Sequence, residues 1–212
     1  MIHVIVPAYG WRLTRDLYRY LQTTVVVDPW KNGKQITKQF KKEVTRCLLV
    51  AQSKRCAYCG SRLYEKHPHR DHIAPKGTYP EWTFWPENLV LSCSTCNTDI
   101  KGSYDPVDVR GKTYRTTTFK FVHPYLDNPS AHFEYVPGGK ALLIYAKQGS
   151  AKGQKSIDLF DLASIDRALQ RAKDYLHDED CTHLHGAPFR ELMENALEAL
   201  NKNYQLITRA GI

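Results

Sequence analysis

Two Cys-x-x-Cys motifs place the strongest constraint on how this chain can fold. Cys56 and Cys59 form the first pair and Cys93 and Cys96 the second, with 33 residues between the pairs. Each motif turns the chain sharply enough to aim two thiolates at one point. Two motifs complete a tetrahedral S4 site, which suits zinc. The sequence therefore predicts that a segment rich in glycine, proline and cysteine, residues 56–106, folds around a structural Zn²⁺ ion.

Disulfides and a redox pair are the two alternatives for these cysteines. The N-terminal residues lack the basic start, the long apolar core and the cleavage site of an export signal, so we expect a cytoplasmic protein. Thiols stay reduced in the cytosol, which disfavours disulfides. A thioredoxin-like protein would need only one Cys-x-x-Cys, placed between a strand and a helix. No apolar run approaches the ~20 residues of a membrane span, and we expect no membrane partner.

A set of polar residues lies between and beside the two cysteine pairs. Asp71 and His72 begin the stretch D-H-I-A-P-K-G, Asn88 lies in E-N-L, and Asn97 and Lys101 follow the second pair in C-N-T-D-I-K. In its order, spacing and residue identities, the segment from residue 56 to residue 101 resembles the HNH endonucleases, which belong to the ββα-metal (His-Me finger) nucleases. One departure is Asn97, which stands where the name of the family expects histidine.

The resemblance implies a metal-dependent endonuclease that hydrolyses phosphodiester bonds in DNA, with RNA not excluded. The carboxylate of Asp71 and the amide oxygen of Asn97 would bind a catalytic Mg²⁺ or Mn²⁺ ion. His72 would lie on the opposite face of the same strand, because successive strand residues alternate, and would act as the general base. By the same resemblance, Asn88 would orient His72, and Lys101 would contact phosphate or complete the metal site.

The net charge of +8 is unevenly distributed along the chain. Ten lysines and arginines lie between residues 31 and 66 against two glutamates, whereas ten acidic residues face four basic ones between residues 156 and 200. The basic part could neutralise phosphates, and the acidic part would repel them. We therefore predict that nucleic acid binds at Lys38, Lys41, Lys42, Arg46 and Lys76. The alternative is a solvated helix face.

The pattern of apolar residues predicts an α+β fold. The resemblance implies that a zinc-stapled ββα-metal (HNH) finger is embedded in this small mixed domain. We expect three segments: residues 1–54 with a basic amphipathic helix, the finger at 55–106, and a hairpin with acidic helices at 107–212. Predicted strands span 2–6 and 115–122, and a hairpin spans 132–146 with its turn at 137–139. Predicted helices span 13–21, 36–53 (with Cys47 on its apolar side), 162–176 and 189–200, and residues 147–156 are predicted as a flexible connector.

Other histidines, cysteines and aromatic residues could also belong to a site. We expect His67 and His69 to be solvent-facing loop residues, and Cys181, His183 and His185 to form a polar turn rather than a metal site. Core packing is the expected role of the aromatic residues around the finger, Tyr58, Tyr79, Trp82 and Trp85.

The C-terminal part is similar to the HNH subunits of Septu-type and retron-associated antiphage systems, which implies an ATPase partner that docks on this region. The alternative function is a non-catalytic zinc module that binds nucleic acid or that ATPase.

Overall fold

The computed structural model describes residues 11–23, 28–31, 33–63, 68–135 and 143–176. Its helices and strands are α1 (Trp11–Gln22), α2 (Gln35–Ala51), β1 (His69–His72), β2 (Leu89–Ser92), β3 (Phe133–Tyr135), β4 (Ile144–Ala146), α3 (Ala151–Phe160) and α4 (Ile165–Leu176), with a π-helix at Thr95–Lys101. The mixture of helices with two small sheets confirms the predicted α+β class. The strand predicted at 2–6, the turn at 137–139, the helix at 189–200 and the residues His67, Cys181, His183 and His185 lie outside the described residues.

The chain divides into two compact units, residues 1–131 and residues 132–212. The expected segment boundaries after residues 54 and 106 both fall inside the first unit, and the predicted domain organisation stays a prediction. Among the described helices, none combines the length and the apolar character needed to cross a membrane.

Helix α2 is amphipathic, and its apolar stripe forms much of the core of the first unit. Phe40, Val44, Cys47 and Leu48 recur at helical spacing, and all four are buried. The helices predicted at 13–21 and 36–53 are therefore confirmed as α1 and α2, with Cys47 on the buried side.

The C-terminal end of α2 is joined to the sheet by one buried glutamine. The side chain of Gln52 accepts a hydrogen bond from the backbone N–H of Leu91 at 2.8 Å and donates one to the carbonyl oxygen of the same residue at 2.8 Å. It therefore pairs with β2 as a neighbouring strand would.

Strands β1 and β2 form an antiparallel hairpin at the centre of the first unit. Asp71 pairs with Val90 and His72 with Leu89. Every residue of β2 is fully buried, so both faces of this strand pack against the rest of the unit. The hairpin thereby holds β1 in one position, with the two faces of the strand directed to opposite sides.

The strand predicted at 115–122 is wrong. Residues Tyr114–Thr116 form one turn of 3-10 helix, and a single bridge joins Val107 to Phe119. The threonines that suggested a strand bind the local backbone instead: the hydroxyl of Thr117 donates to the carbonyl oxygen of Thr113 at 2.9 Å. Such bonds compete with a strand ladder.

The second unit contains the predicted hairpin, since β3 and β4 pair in antiparallel fashion. The flexible connector predicted at 147–156 is wrong, because α3 begins at residue 151. Ser150 caps this helix by accepting a hydrogen bond from the N–H of Gly153 at 3.0 Å. Gly153 packs so closely on the hairpin that an added Cβ would lie 2.4 Å from the carbonyl oxygen of His132. Helix α4 confirms the helix predicted at 162–176.

Candidate active site and metal centre

The four cysteines of the two motifs converge on one point. Their sulfur atoms all lie within 4.8 Å of one another, and the Sγ atoms of Cys59 and Cys93 are 3.8 Å apart. A tetrahedral zinc site with Zn–S distances of about 2.3 Å has sulfur atoms about 3.8 Å apart. The cluster therefore could bind a zinc ion, as the sequence predicted, and the donor set fits that metal.

Local backbone geometry aims the sulfur atoms. The first motif closes with a hydrogen bond from the N–H of Gly60 to the carbonyl oxygen of Cys56 at 3.0 Å, and Gly60 adopts the left-handed conformation (φ +74°) that glycine tolerates. The second motif enters the π-helix, where the N–H of Cys96 donates to the sulfur of Cys93 at 3.4 Å. Hydrogen bonding with the Cys56 thiol lowers the pKa of Cys59 and lowers that of Cys93 to about 7, which favours thiolates at these two positions. Burial raises the pKa of Cys56, and hydrogen bonding with Cys56 raises that of Cys96.

Strand β1 presents its four side chains alternately to two sides of the hairpin. His69 and Asp71 contact the π-helix, where their partners are Asn97 and Lys101. The other two side chains turn to the opposite side, toward α2 and the segment 28–31. Asp71 and His72 thus face opposite sides of one strand, as strand alternation requires.

The carboxylate of Asp71 is buried and bound on both oxygens. Lys101 Nζ lies 3.2 Å from Oδ1, and the hydroxyl of Tyr58 donates to Oδ2 at 2.5 Å. Lys101 also donates to the carbonyl oxygen of His72 at 2.8 Å. Burial raises the pKa of Asp71, while the charge of Lys101 opposes that rise. Tyr58, expected to have only a packing role, is therefore also a direct partner of Asp71.

His69 lies in β1 and is half-buried, so its expected place in a solvent-facing loop is wrong. Its Nδ1 is 3.0 Å from Nδ2 of Asn97. An amide nitrogen only donates, so His69 Nδ1 must accept, and the amide oxygen of Asn97 is turned away from the ring. His69 thereby fixes the orientation of Asn97.

The imidazole of His72 is held by a backbone carbonyl and covered by a tryptophan. Its Nε2 lies 2.9 Å from the carbonyl oxygen of Thr83, and the ring centroid of Trp30 is 4.4 Å away in an edge-to-face arrangement. Because a carbonyl only accepts, Nε2 carries the proton and Nδ1 keeps its lone pair. Burial, offset in part by the Thr83 carbonyl, lowers the pKa of His72 to about 3, so the ring is neutral at pH 7.

Asn88, expected to orient His72, forms no hydrogen bond with it, because its side chain is fully used elsewhere. Its Oδ1 accepts from the N–H of Ala74 and from the hydroxyl of Tyr114, and its Nδ2 donates to the carbonyl oxygens of Ala74 and Trp82. These four bonds satisfy the whole capacity of an amide. Asn88 thus fixes the loop that carries the carbonyl bound to His72, and its effect on the ring is indirect.

A buried histidine supports Asn88 from behind. Nδ1 of His123 accepts the backbone N–H groups of Tyr125 and Leu126, so its Nε2 carries the proton and donates to the hydroxyl of Tyr114 at 2.8 Å. The Tyr114 hydroxyl in turn donates to Asn88. Sequence reasoning missed Tyr114 and His123, since both lie outside the motif segment and neither has a periodic neighbour that marks it.

Four of the five predicted nucleic-acid-binding residues come together along one groove of about 560 Å³. Its lining consists of Lys38, Lys41, Lys42, Thr45, Arg46, Leu49 and Arg70. Lys76 is not part of this lining and lies 3.5 Å from Oδ2 of Asp28. Arg70, which sequence reasoning missed, brings the groove onto strand β1.

Asp71 and Asn97, the residues proposed to bind a catalytic cation, have suitable donor atoms. They offer the carboxylate and amide oxygens that Mg²⁺ and Mn²⁺ prefer. The ammonium of Lys101 nevertheless lies 3.2 Å from the Asp71 carboxylate and offsets its charge. A cation that binds Asp71 must therefore displace Lys101 from it.

Comparison with known proteins places a family match on this same segment. Residues 56–102 match the family model described as HNH endonuclease, which confirms the resemblance seen in the sequence. The matched segment contains all four cysteines of the cluster, both faces of the β1–β2 hairpin and the π-helix.

Similarity to individual proteins extends beyond that segment. The chain is 31% identical over 134 residues to a protein named Septu protein PtuB from Bacillus thuringiensis, covering 61% of this chain and 44% of the relative. It is 28% identical over 156 residues to Septu protein PtuB from Bacillus mycoides, covering 63% and 52%. Protein ea31 of Escherichia phage lambda is 35% identical over 80 residues, covering 38% and 24%. The chain thus spans about half the length of the two PtuB proteins.

Proposed function

We propose that this chain is an HNH endonuclease that hydrolyses phosphodiester bonds in DNA with the help of a divalent cation. The observation that carries the proposal is the hairpin strand β1, which sends Asp71 toward the π-helix and holds His72 as a neutral base on its other side. The match of residues 56–102 to the HNH model supports the same assignment. Zinc, bound by the four cysteines, would have a structural role.

His72 supplies the general base in this proposal. Its Nε2 proton is committed to the Thr83 carbonyl, so the proton of the attacking water is taken up at Nδ1. The resulting hydroxide forms a bond to phosphorus, and the bond from phosphorus to the 3′ oxygen breaks. The departing oxygen takes a proton from solvent, which leaves a 3′ hydroxyl and a 5′ phosphate.

Asp71 and Asn97 would hold the cation, and when bound it would neutralise charge on the phosphate. His69 contributes by fixing the amide of Asn97 with its oxygen turned away from the imidazole. Lys101, once displaced from Asp71, would be free to contact phosphate.

The direct test is plasmid cleavage by purified protein in Mg²⁺ or Mn²⁺, compared with His72→Ala purified in the same way. We expect the wild type to nick or cut the plasmid and His72→Ala to be nearly inactive. His132→Ala is a matched control, because this half-buried histidine lies in the second unit and its imidazole bonds only the cap residue Ser150 among the described residues. Equal activity of all three proteins would identify a contaminating nuclease and overturn the proposal.

A second candidate is a zinc module that binds nucleic acid or a partner without cutting. The observation that favours it is the Asp71 carboxylate, which is neutralised by Lys101 and bound by Tyr58. Absence of cleavage in either cation, with retained DNA binding, would support this second function over the first.

The stability of Lys101→Met, with and without a cation, distinguishes the two candidate functions. The substitution leaves the Asp71 carboxylate buried without its ammonium partner, which should cost about 3–5 kcal/mol of unfolding free energy in cation-free buffer. If a cation can bind Asp71, added Mn²⁺ should raise the melting temperature of Lys101→Met more than that of the wild type. Equal responses to Mn²⁺ would argue against a cation at Asp71. Lys120→Met is the control, because the ammonium of this exposed lysine donates to a backbone carbonyl, that of Asp105, and forms no salt bridge among the described residues.

We also propose that the chain acts in antiphage defence in the cytoplasm, together with an ATPase that docks on the C-terminal region. The likeness to two proteins named Septu protein PtuB supports this role. In cells that carry the gene in its native locus, we expect fewer phage plaques than in cells with His72→Ala at the same locus. Equal plaque numbers would remove the defence role while leaving the nuclease proposal intact.

A further inference from the structure

The groove between α2 and β1 is a concentration of positive charge that the described residues neutralise only in part. Among the described residues, no carboxylate forms a salt bridge with Lys38, Lys42 or Arg70, whereas Arg46 is paired with Glu43 at 2.6 Å. Burial and the charge of Arg70 both lower the pKa of Lys41, a sign that these cations repel one another. Gathering like charges costs free energy, and a bound anion would recover it.

Arg70 is oriented for such an anion before it arrives. Its Nη1 donates to the hydroxyl oxygen of Thr45 at 2.8 Å, and that hydroxyl donates its own proton to the carbonyl oxygen of Lys41 at 2.8 Å. Thr45 therefore accepts from Arg70 in a fixed direction. Among the described residues, the guanidinium donates one hydrogen bond, to Thr45, out of its five N–H groups. Its remaining donors can bind a phosphate, which arginine contacts with two parallel bonds.

The groove is also next to the base. Arg70 and His72 lie on the same face of β1, two residues apart, which is about 6.6 Å along a strand. That separation is comparable to the spacing of successive phosphates in a nucleic-acid strand. Lys41 Nζ lies 4.7 Å from the ring centroid of Trp30, and Trp30 covers His72, so the groove and the base share a wall.

We propose that this groove binds the backbone of the substrate strand, with Arg70 contacting the phosphate next to the scissile one. This inference rests on the proposed nuclease function and adds a substrate-binding residue to it. The lysines of α2 would contact further phosphates along the strand. Since all these contacts go to phosphates, binding here would be independent of base sequence.

Binding should be measured apart from cleavage, with the His72→Ala protein and a fluorescently labelled DNA oligonucleotide over a series of salt concentrations. We expect Arg70→Gln to weaken binding on the order of tenfold and to lower the salt slope by about one. Arg19→Gln is the matched control, because this exposed arginine of α1 lies near Asp16 and outside the groove. An unchanged affinity and slope in Arg70→Gln would overturn the inference, even if the wild type cuts plasmid.

Two further binding experiments determine which phosphate Arg70 contacts and what kind of ligand the groove binds. A set of oligonucleotides would each carry one neutral methylphosphonate, placed at successive positions along the strand. At one position, next to the wild-type cut, the neutral group should weaken binding to the protein that retains Arg70 but not to Arg70→Gln. Equal sensitivity of both proteins at every position would overturn the inference. Inorganic phosphate should compete only weakly, and competition at micromolar concentrations would assign the groove to a free anion instead. If binding depends on Arg70 but the wild type never cuts, the nuclease proposal fails while the groove stays a strand-binding site.

Discussion

Replacing His72 with alanine should lower the rate of DNA cleavage by a factor on the order of 10² to 10⁴, the usual contribution of a positioned general base. The substitution removes the nitrogen that takes the proton but leaves Asp71, Asn97 and the groove in place. Affinity for DNA should therefore stay within about twofold of the wild type, a range expected when only a transition-state interaction is lost. Single-turnover cleavage and anisotropy titration measure the two quantities separately.

Asp71→Ala should fail in a different way from His72→Ala. It removes an anionic ligand, so its cleavage defect should be partly recovered at high Mn²⁺, as a loss of cation binding would be. It also leaves the ammonium of Lys101 buried without its carboxylate, so its melting temperature must be followed in parallel. A defect that no Mn²⁺ concentration changes, in a protein that is still folded, would contradict the role of Asp71 as a cation ligand.

Chemical rescue tests independently whether His72 is the general base. In His72→Gly, added imidazole can occupy the space between Trp30 and the Thr83 carbonyl and accept the proton, so cleavage should rise with imidazole concentration. The same imidazole should do nothing for Asp71→Ala. If His72→Ala cut as fast as the wild type while Asp71→Ala were inactive, the base would have to be another residue.

The sequence was sufficient to find the cysteine cluster and the polar residues of the motif, because their order and spacing along the chain are themselves the signal. It also predicted α2 to within two residues, since the apolar positions from Phe40 to Leu48 repeat at helical spacing. Helix α3 was missed for the opposite reason. Its buried stripe begins with Gly153 and Ser156, which no hydrophobic pattern would identify as a helix face.

The partners of the motif residues could not be predicted, because they come from irregular segments. Tyr58 reaches Asp71 across 13 residues, and the carbonyl of Thr83 reaches His72 across 11. Backbone carbonyls have no sequence signature at all. Asn88 shows the consequence: its place in the motif implied that it orients His72, but not that it would do so through four hydrogen bonds that fix the loop around the base.

Arg70 illustrates a residue that only the fold could reveal. In the sequence it is one basic residue beside Asp71, with no partner nearby. The hairpin turns it away from Asp71, and α2 brings Thr45 to meet it from 25 positions earlier in the chain. The groove it completes joins the basic helix, predicted to bind nucleic acid from charge alone, to the strand that carries the base.

Removing the metal of the cysteine cluster should unfold the protein rather than only slow DNA cleavage. Cys93→Ser, or exhaustive chelation of the wild type, should give protein that is insoluble or lacks a cooperative unfolding transition. Binding of structural zinc contributes about 10–16 kcal/mol in zinc-finger peptides, which is as large as the ~5–15 kcal/mol total stability of most domains. Here the cluster also sets the start of the π-helix, and with it the positions of Asn97 and Lys101.

Cys47→Ser supplies the control for that experiment, because Cys47 is also a buried cysteine but lies on α2, where its thiol contacts Glu43 rather than the other cysteines. It should keep about one zinc ion per chain by metal analysis and lose only a small part of its stability. Cys93→Ser should lose the zinc and the fold together, since three thiolates leave the tetrahedron open. A well-folded, unchelated wild type that contains no zinc would contradict the assignment. The close approach of the four sulfur atoms would then have to be maintained by protein contacts alone, such as the hydrogen bonds of Gln52 and Ala57 with Leu91.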